Sequence, residues 1–125
     1  CLEIYMSGKA LSLEAKAVYK DDNANSHTVI EGLKKNALPA VTAFHNWQEM
    51  VKNGIVIFAD IFDPELVLLG GSMAHFIDYG RLNREANEMI VTAPFLLKEA
   101  AFENDAGLVG AALLCIKKLE ENRNV

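Results

Sequence analysis

The sequence predicts a helix-rich α/β fold with few strands of its own, and two observations carry that expectation. Apolar residues recur at steps of three and four along much of the chain, most regularly from Val41 to Phe62. Leu66 to Leu69 departs from that period: it is a continuous apolar run, with Asp63-Pro64-Glu65 before it and Gly70-Gly71-Ser72 after it. A short run of this kind reads as a strand buried on both faces of an α/β sheet.

The elements follow in order. Leu2 to Tyr19 is helical in pattern, punctuated at Ser7 or Gly8, with Leu11, Leu13, Ala15 and Val18 on the apolar side. Lys20 to Thr28 is a polar loop rich in turn residues. Ser26 is positioned to cap a short helix that buries Val29, Ile30 and Leu33. Pro39 fits the first turn of the next helix, where its missing N–H costs nothing. That helix is the longest, with Val41, Phe44, Gln48, Val51, Ile55, Phe58 and Phe62 along one face. Val56, Ile57 and Ile61 widen the stripe and suggest burial on more than one side. Gly54 weakens the helix interior by about 1 kcal/mol against alanine, so a close crossing or a kink is expected there. Asp63-Pro64 ends the helix, because the residue before proline is pushed out of the α region.

After Gly70-Gly71-Ser72 come a helical stretch with Met73, Phe76 and Ile77, a second helix from Leu82 through Ile90, and a strand from Phe95 to Phe102. Glu103-Asn104-Asp105 is a turn, with Asn104 or Asp105 as cap of the last helix. Leu108, Ala112, Cys115 and Leu119 mark that helix, with Cys115 as a small core residue.

Composition narrows the function. A chain of 125 residues, 51% hydrophobic, is one domain or a piece of a larger one and holds ample material for a core. A net charge of -5 argues against a nucleic-acid surface, which needs clustered Lys and Arg. Lys34-Lys35 and Lys117-Lys118 read as solvated helix faces. No window is apolar for long enough to span a bilayer, and no signal-peptide core opens the chain. Two cysteines, Cys1 and Cys115, are too few for a disulfide scaffold, so a reducing, cytoplasmic setting is expected. His27, His45 and His75 have no metal-site spacing. The chain begins at Cys1 without an initiator methionine, and CLEIYMSGKAL reads as the middle of something longer.

Why should a strand end on two glycines? In open α/β sheets ligands bind beyond the carboxyl ends of the strands, at the start of the following helix. Glycines there let a phosphate or sugar ring approach the backbone, and a helix N-terminus supplies N–H donors. Gly70-Gly71-Ser72 fits that use and equally fits a plain strand-to-helix turn; it is neither the GxGxxG fingerprint nor a P-loop.

Three ordered segments resemble the ROK family (repressors, open reading frames and sugar kinases). CLEIYMSGKAL is similar to the end of that family's zinc motif, C-x-C-G-x-x-G-C-x-E followed by an aromatic residue, a serine and a small residue. Cys1, Leu2 and Glu3 match its last three positions, and Tyr5, Ser7 and Gly8 continue it. IFDPELVLLGGSM is similar to the strand segment L-D-P-x-x-(I/V)-x-L-G-G-G, with Ser72 where a third glycine often stands. NDAGLVGAALL resembles the closing D-A-G-L-x-G-A-A helix. The matches spread from Cys1 to Leu114 and together are far more specific than any one alone.

The resemblance implies a single segment, residues 1–125, from the C-terminal part of an actin-like (ribonuclease H-like) ATPase domain. The N-terminal half, with its D-x-G-x-T phosphate loop and catalytic aspartate, and the other zinc ligands, one histidine and two cysteines, are not in this sequence. The implied parent is an ATP-dependent sugar kinase acting on a hexose or N-acylhexosamine, a homo-oligomer such as a dimer. Glu3 would bind sugar hydroxyls; Gly70, Gly71 and Ser72 would border ATP and its Mg²⁺; Cys1 would ligate a structural Zn²⁺. This segment would supply no catalytic residue and contact no nucleic acid, its partners being sugar, ATP and the missing half. The rival reading is the sugar-sensing core of a ROK-family repressor, told apart by a DNA-binding domain upstream.

Overall fold

The computed structural model describes residues 3–102 and 105–123. The order is α1 (Glu3–Met6), α2 (Gly8–Tyr19), α3 (Ser26–Lys34), α4 (Leu38–Phe62), β1 (Leu66–Leu69), α5 (Tyr79–Met89), β2 (Leu96–Glu99) and α6 (Ala106–Arg123). β1 and β2 are parallel, with Leu66 opposite Leu96 and Leu69 opposite Glu99, and α5 makes the crossover. Helix-rich α/β is therefore the observed class. No helix among the described residues is long and apolar enough to cross a membrane.

Local chemistry explains most boundaries. The expected first helix is two helices, because the Ser7 backbone leaves the α region for an extended conformation while its side chain accepts from the Ala10 N–H, capping α2. At α3 the cap is Asn25 and not Ser26. Asn25 accepts from the N–H groups of His27 and Thr28, and the Thr28 hydroxyl accepts from the Asn25 N–H in return. The Ser26 N–H is engaged elsewhere, donating to Ser12 Oγ of α2 at 3.1 Å. Pro39 stands in the first turn of α4, as expected. α4 ends at Asp63, whose φ of 44° is left-handed rather than extended; its carboxylate accepts from the Ala93 N–H and so anchors the distant loop.

The core forms where α2, α3 and α5 pack on α4, around the fully buried Leu11, Val29, Trp47, Ile55 and Leu82. Each large apolar side chain buried in this way contributes ~1.5–3 kcal/mol. Gln48, the polar interruption of the α4 stripe, is buried and accepts from Arg81 Nη2 at 2.9 Å. Lys52, also buried, donates to Glu49 at 2.6 Å and to Glu85 of α5 at 2.9 Å. Asn83 and Asn87 of α5 bond the backbone of Leu97 and Phe95, seating α5 against β2.

Several expected burials are absent. Leu66 and Leu68 are 47% and 56% exposed, so β1 is not covered on both faces: its side chains alternate, and only the Val67 and Leu69 side packs on the core. Val41, Ile57, Phe58, Ile61 and Phe62 of α4 are exposed as well, because α4 meets its neighbours along the Trp47–Ile55 side. Cys115 is exposed rather than in the core. Leu108, Leu113, Leu114, Ile116 and Leu119 of the same helix are exposed too, so the stretch of α6 from Leu108 to Ile116 is apolar on all sides with no buried stripe, while its end from Lys117 on is mostly charged. β2 spans Leu96–Glu99, shorter than Phe95 to Phe102, and Met73 to Ile77 holds only a 3-10 turn, Ala74–Phe76. Asp105 lies at the cap position of α6, its carbonyl accepting from the Val109 N–H at 2.9 Å; Asn104 and Glu103 lie outside the described residues.

Candidate functional site

A cavity of about 360 Å³ lies at the carboxyl end of β1. One wall is the loop from Leu69 through Gly70, Gly71 and Ser72. The α1–α2 joint, Met6, Ser7 and Gly8, lines it too, as do Trp47 and Val51 of α4. Two of the three segments singled out by resemblance thus meet across one space.

Gly71 has φ 96°, a conformation that side chains rarely adopt, and no atom lies within 4 Å of where a β-carbon would stand. The loop turns tightly after it, the Ala74 N–H donating to the Gly71 carbonyl at 3.0 Å. The turn is tied down from α5, where the Tyr79 hydroxyl donates to the Ala74 carbonyl at 3.0 Å. Burial and the nearby Glu99 carboxylate push the Tyr79 hydroxyl up to about 12, so it stays a donor throughout the neutral range. One oxygen of Glu99 is buried without a partner, and the His75 ring stands 3.7 Å from it.

The helix end that borders the space is not the one expected. The glycines lead into a single 3-10 turn, too short to concentrate a dipole, whereas the N-terminus of the twelve-residue α2 faces the cavity at Ser7 and Gly8. The joint is held by the Trp47 indole N–H, which donates to the Ser7 carbonyl at 3.1 Å.

Gly70, Gly71 and Ser72 are together in this site; Glu3 is not. It is the exposed first residue of α1 and does not line the cavity, although Met6 at the other end of that helix does. Cys1 lies outside the described residues. Among the described residues no group of three or more His, Cys, Asp or Glu could hold a metal ion, so they do not make a zinc site. Sequence reasoning missed Trp47, Val51 and Met73 as lining residues. Val51 belongs to the α4 stripe and Trp47, buried beside it, was not singled out; the spacing that marks a core residue says nothing of which cavity it faces.

The model of the ROK family matches residues 1–118. A search of curated proteins found no match. Among solved structures the chain is similar to a ROK hexokinase from Thermus thermophilus (24% identity, TM-score 0.72), with 90% of this chain and 40% of that one covered. It is also similar to a ROK family glucokinase from Streptomyces griseus in complex with glucose and AMPPNP (23%, TM-score 0.78, 91% and 44%). A third is a ROK family protein from Streptococcus pneumoniae TIGR4 in complex with sucrose (13%, TM-score 0.72, 96% and 44%). The chain spans under half the length of these neighbours. Their architecture is that of an actin-like ATPase, and the partial coverage fits a C-terminal portion of it. With the family model running over residues 1–118 of the 125, the chain belongs to the ROK family.

Proposed function

We propose that this chain is the C-terminal part of an ATP-dependent kinase that phosphorylates a hexose or an N-acylhexosamine. The observation that carries the reading is the cavity between Gly70–Ser72 and the N-terminus of α2. A nucleotide needs bare backbone where its ribose and phosphates pass, a helix N-terminus that favours their charge, and an apolar wall for its base. Gly71 supplies the first, α2 the second, and Trp47, Val51 and Met73 the third. Ser72 adds a hydroxyl that can donate. Mg²⁺ arrives with the nucleotide and would bridge its phosphates.

Glu3 is the proposed sugar ligand: an exposed carboxylate accepts two hydrogen bonds from neighbouring hydroxyls and so fixes the sugar's orientation. Cys1 is the proposed single contribution of this chain to a structural zinc. The remainder of such a domain would cover the apolar Leu108–Ile116 stretch of α6 and the exposed Leu66 and Leu68 face, since a helical stretch apolar on every side is built for burial. We place the complete protein in the cytoplasm as a homo-oligomer.

The test is ADP release by the complete protein, with ATP and a panel of hexoses and N-acylhexosamines. Turnover with at least one sugar supports the kinase. No turnover with any, together with sugar-dependent binding to DNA, replaces it with the repressor.

A further inference from the structure

The two strands of the sheet differ in what they offer along their outer edges. β2 reads Leu-Leu-Lys-Glu, and its outer edge is occupied. The N–H groups of Leu96 and Ala100 donate to the carbonyls of Glu65 and Leu69 on the β1 side, so the N–H of Leu97 points the other way. There it donates to Asn83 Oδ1 at 2.7 Å. On the same edge the Phe95 N–H donates to Asn87 Oδ1 at 2.9 Å, and the Phe95 carbonyl accepts from Asn87 Nδ2 at 3.0 Å. Two asparagines of α5 thus stand where a neighbouring strand would.

β1 is the opposite case. It reads Leu-Val-Leu-Leu, an unbroken apolar run without the charge or proline that guards an edge. Glu65 and Leu69 turn their carbonyls to β2, so Leu66 and Leu68 present their N–H and carbonyl groups on the free side. No group among the described residues bonds them: the sheet has two strands, and no side chain reaches this edge. The face above is apolar too, with Leu66, Leu68 and Leu96 exposed. Parallel sheets are otherwise covered on both faces, and two strands alone are marginal in water. A strand with the composition of an inner strand therefore stands at an edge.

We infer that the free edge of β1, at Leu66 and Leu68, is an interaction surface for an extended segment from the rest of the ROK domain, and that Asn83 and Asn87 close the sheet on the β2 side. Coverage argues for that occupant. The hexokinase and glucokinase structures match 90% and 91% of this chain with only 40% and 44% of their own length, so more than half of such a domain lies outside these residues. The inference rests on the chain being part of a longer domain, as proposed above, and not on kinase chemistry.

Amide hydrogen exchange, read residue by residue, compares the complete protein with the 125-residue chain. Leu66 and Leu68 should exchange at least about tenfold more slowly in the complete protein, roughly the effect of one added hydrogen bond. Val67 and Leu69, which face β2, should be protected in both. A second arm uses proline, which an edge strand tolerates where its N–H would face solvent. In the 125-residue chain Leu68→Pro should melt close to Leu68→Ala. In the complete protein it should melt roughly 5 °C or more below Leu68→Ala, because proline removes a ladder donor that alanine keeps. Equal exchange of Leu66 and Leu68 in the two proteins overturns the inference, as does Leu68→Pro matching Leu68→Ala in the complete protein. Protection already present in the 125-residue chain, at the mass of a dimer, makes the occupant a second copy and overturns it too. If the short chain does not fold, fast exchange at Val67 and Leu69 shows it; exchange at Leu66 and Leu68 and the two Leu68 variants in the complete protein then decide. Sugar turnover enters none of these outcomes, so a failed kinase reading leaves them unchanged.

Discussion

Replacing Gly71 by alanine separates a turn from a binding site. Its φ of 96° lies outside the regions open to residues with a β-carbon. Holding alanine in such a sparsely populated region costs about 1–3 kcal/mol. Nothing stands within 4 Å of the added methyl group, so contact adds no further cost in the unliganded protein. A chain of this length should then melt roughly 3–15 °C lower. Gly71→Asn is the control, because asparagine tolerates positive φ better than other side chains yet fills the same open space. It should keep more of the stability and lose at least as much nucleotide affinity. Thermal melts of both variants, with calorimetric titration of AMPPNP into the complete protein, give the two quantities separately. Folded variants that both bind AMPPNP with wild-type affinity would reduce Gly70-Gly71-Ser72 to a bend, and an unchanged melting temperature for Gly71→Ala would refute the backbone argument.

The other predictions concern charge and completeness. Glu3→Gln in the complete protein keeps the shape and loses the charge that strengthens bonds from hydroxyls, so sugar KM should rise by about tenfold or more; an unchanged KM returns Glu3 to an ordinary surface carboxylate. The 125-residue chain alone should show no ATP- and sugar-dependent turnover, since its sequence has no D-x-G-x-T loop, and activity well above background would contradict this. It should also retain no stoichiometric zinc after dialysis, because Cys1 supplies at most one of four ligands; elemental analysis decides. The hydrogen bond from Lys52 holds the Glu85 carboxyl below its ordinary 4.5, so this pair stabilises the fold above that pH and the contribution fades as pH falls through the lowered value. Lys52 is itself raised above 10.5, first by its bond to Glu49, so its share is complete below 10.5 and fades as pH rises through the raised value. Lys52→Met should therefore flatten both the acid and the alkaline limbs of a urea-midpoint profile, and superimposable limbs would show that the network contributes nothing.

What was legible in the sequence was what local chemistry decides. Leu66–Leu69 between its turn formers became β1, Pro39 opened α4, and the three ROK segments fell in a chain that the family model covers to residue 118. What was not legible depends on partners distant in sequence. Asn25 and Ser26 are both competent caps, and the choice follows from a bond between the Ser26 backbone and Ser12 on another helix. Cys115 sits at core spacing, yet the Leu108–Ile116 stretch around it is apolar on every side, so period alone could not say which side would be buried. The dipole bordering the glycine-loop cavity belongs to α2, far upstream, and only the folded chain brings Ser7 and Gly8 to the same cavity as Gly71. Gly54 announced a close approach without naming Met6, whose sulfur lies where a β-carbon would stand.

On the proposed function, the space between Gly70–Ser72 and the start of α2 holds the nucleotide while Glu3 holds the sugar. A crystal structure of the complete protein with AMPPNP and a hexose tests it most directly. Nucleotide density is expected against the Gly71 backbone and the Ser72 hydroxyl, its base toward Trp47 and Val51, with the Glu3 carboxylate on sugar hydroxyls. Nucleotide bound elsewhere, with this cavity filled only by water, would contradict it.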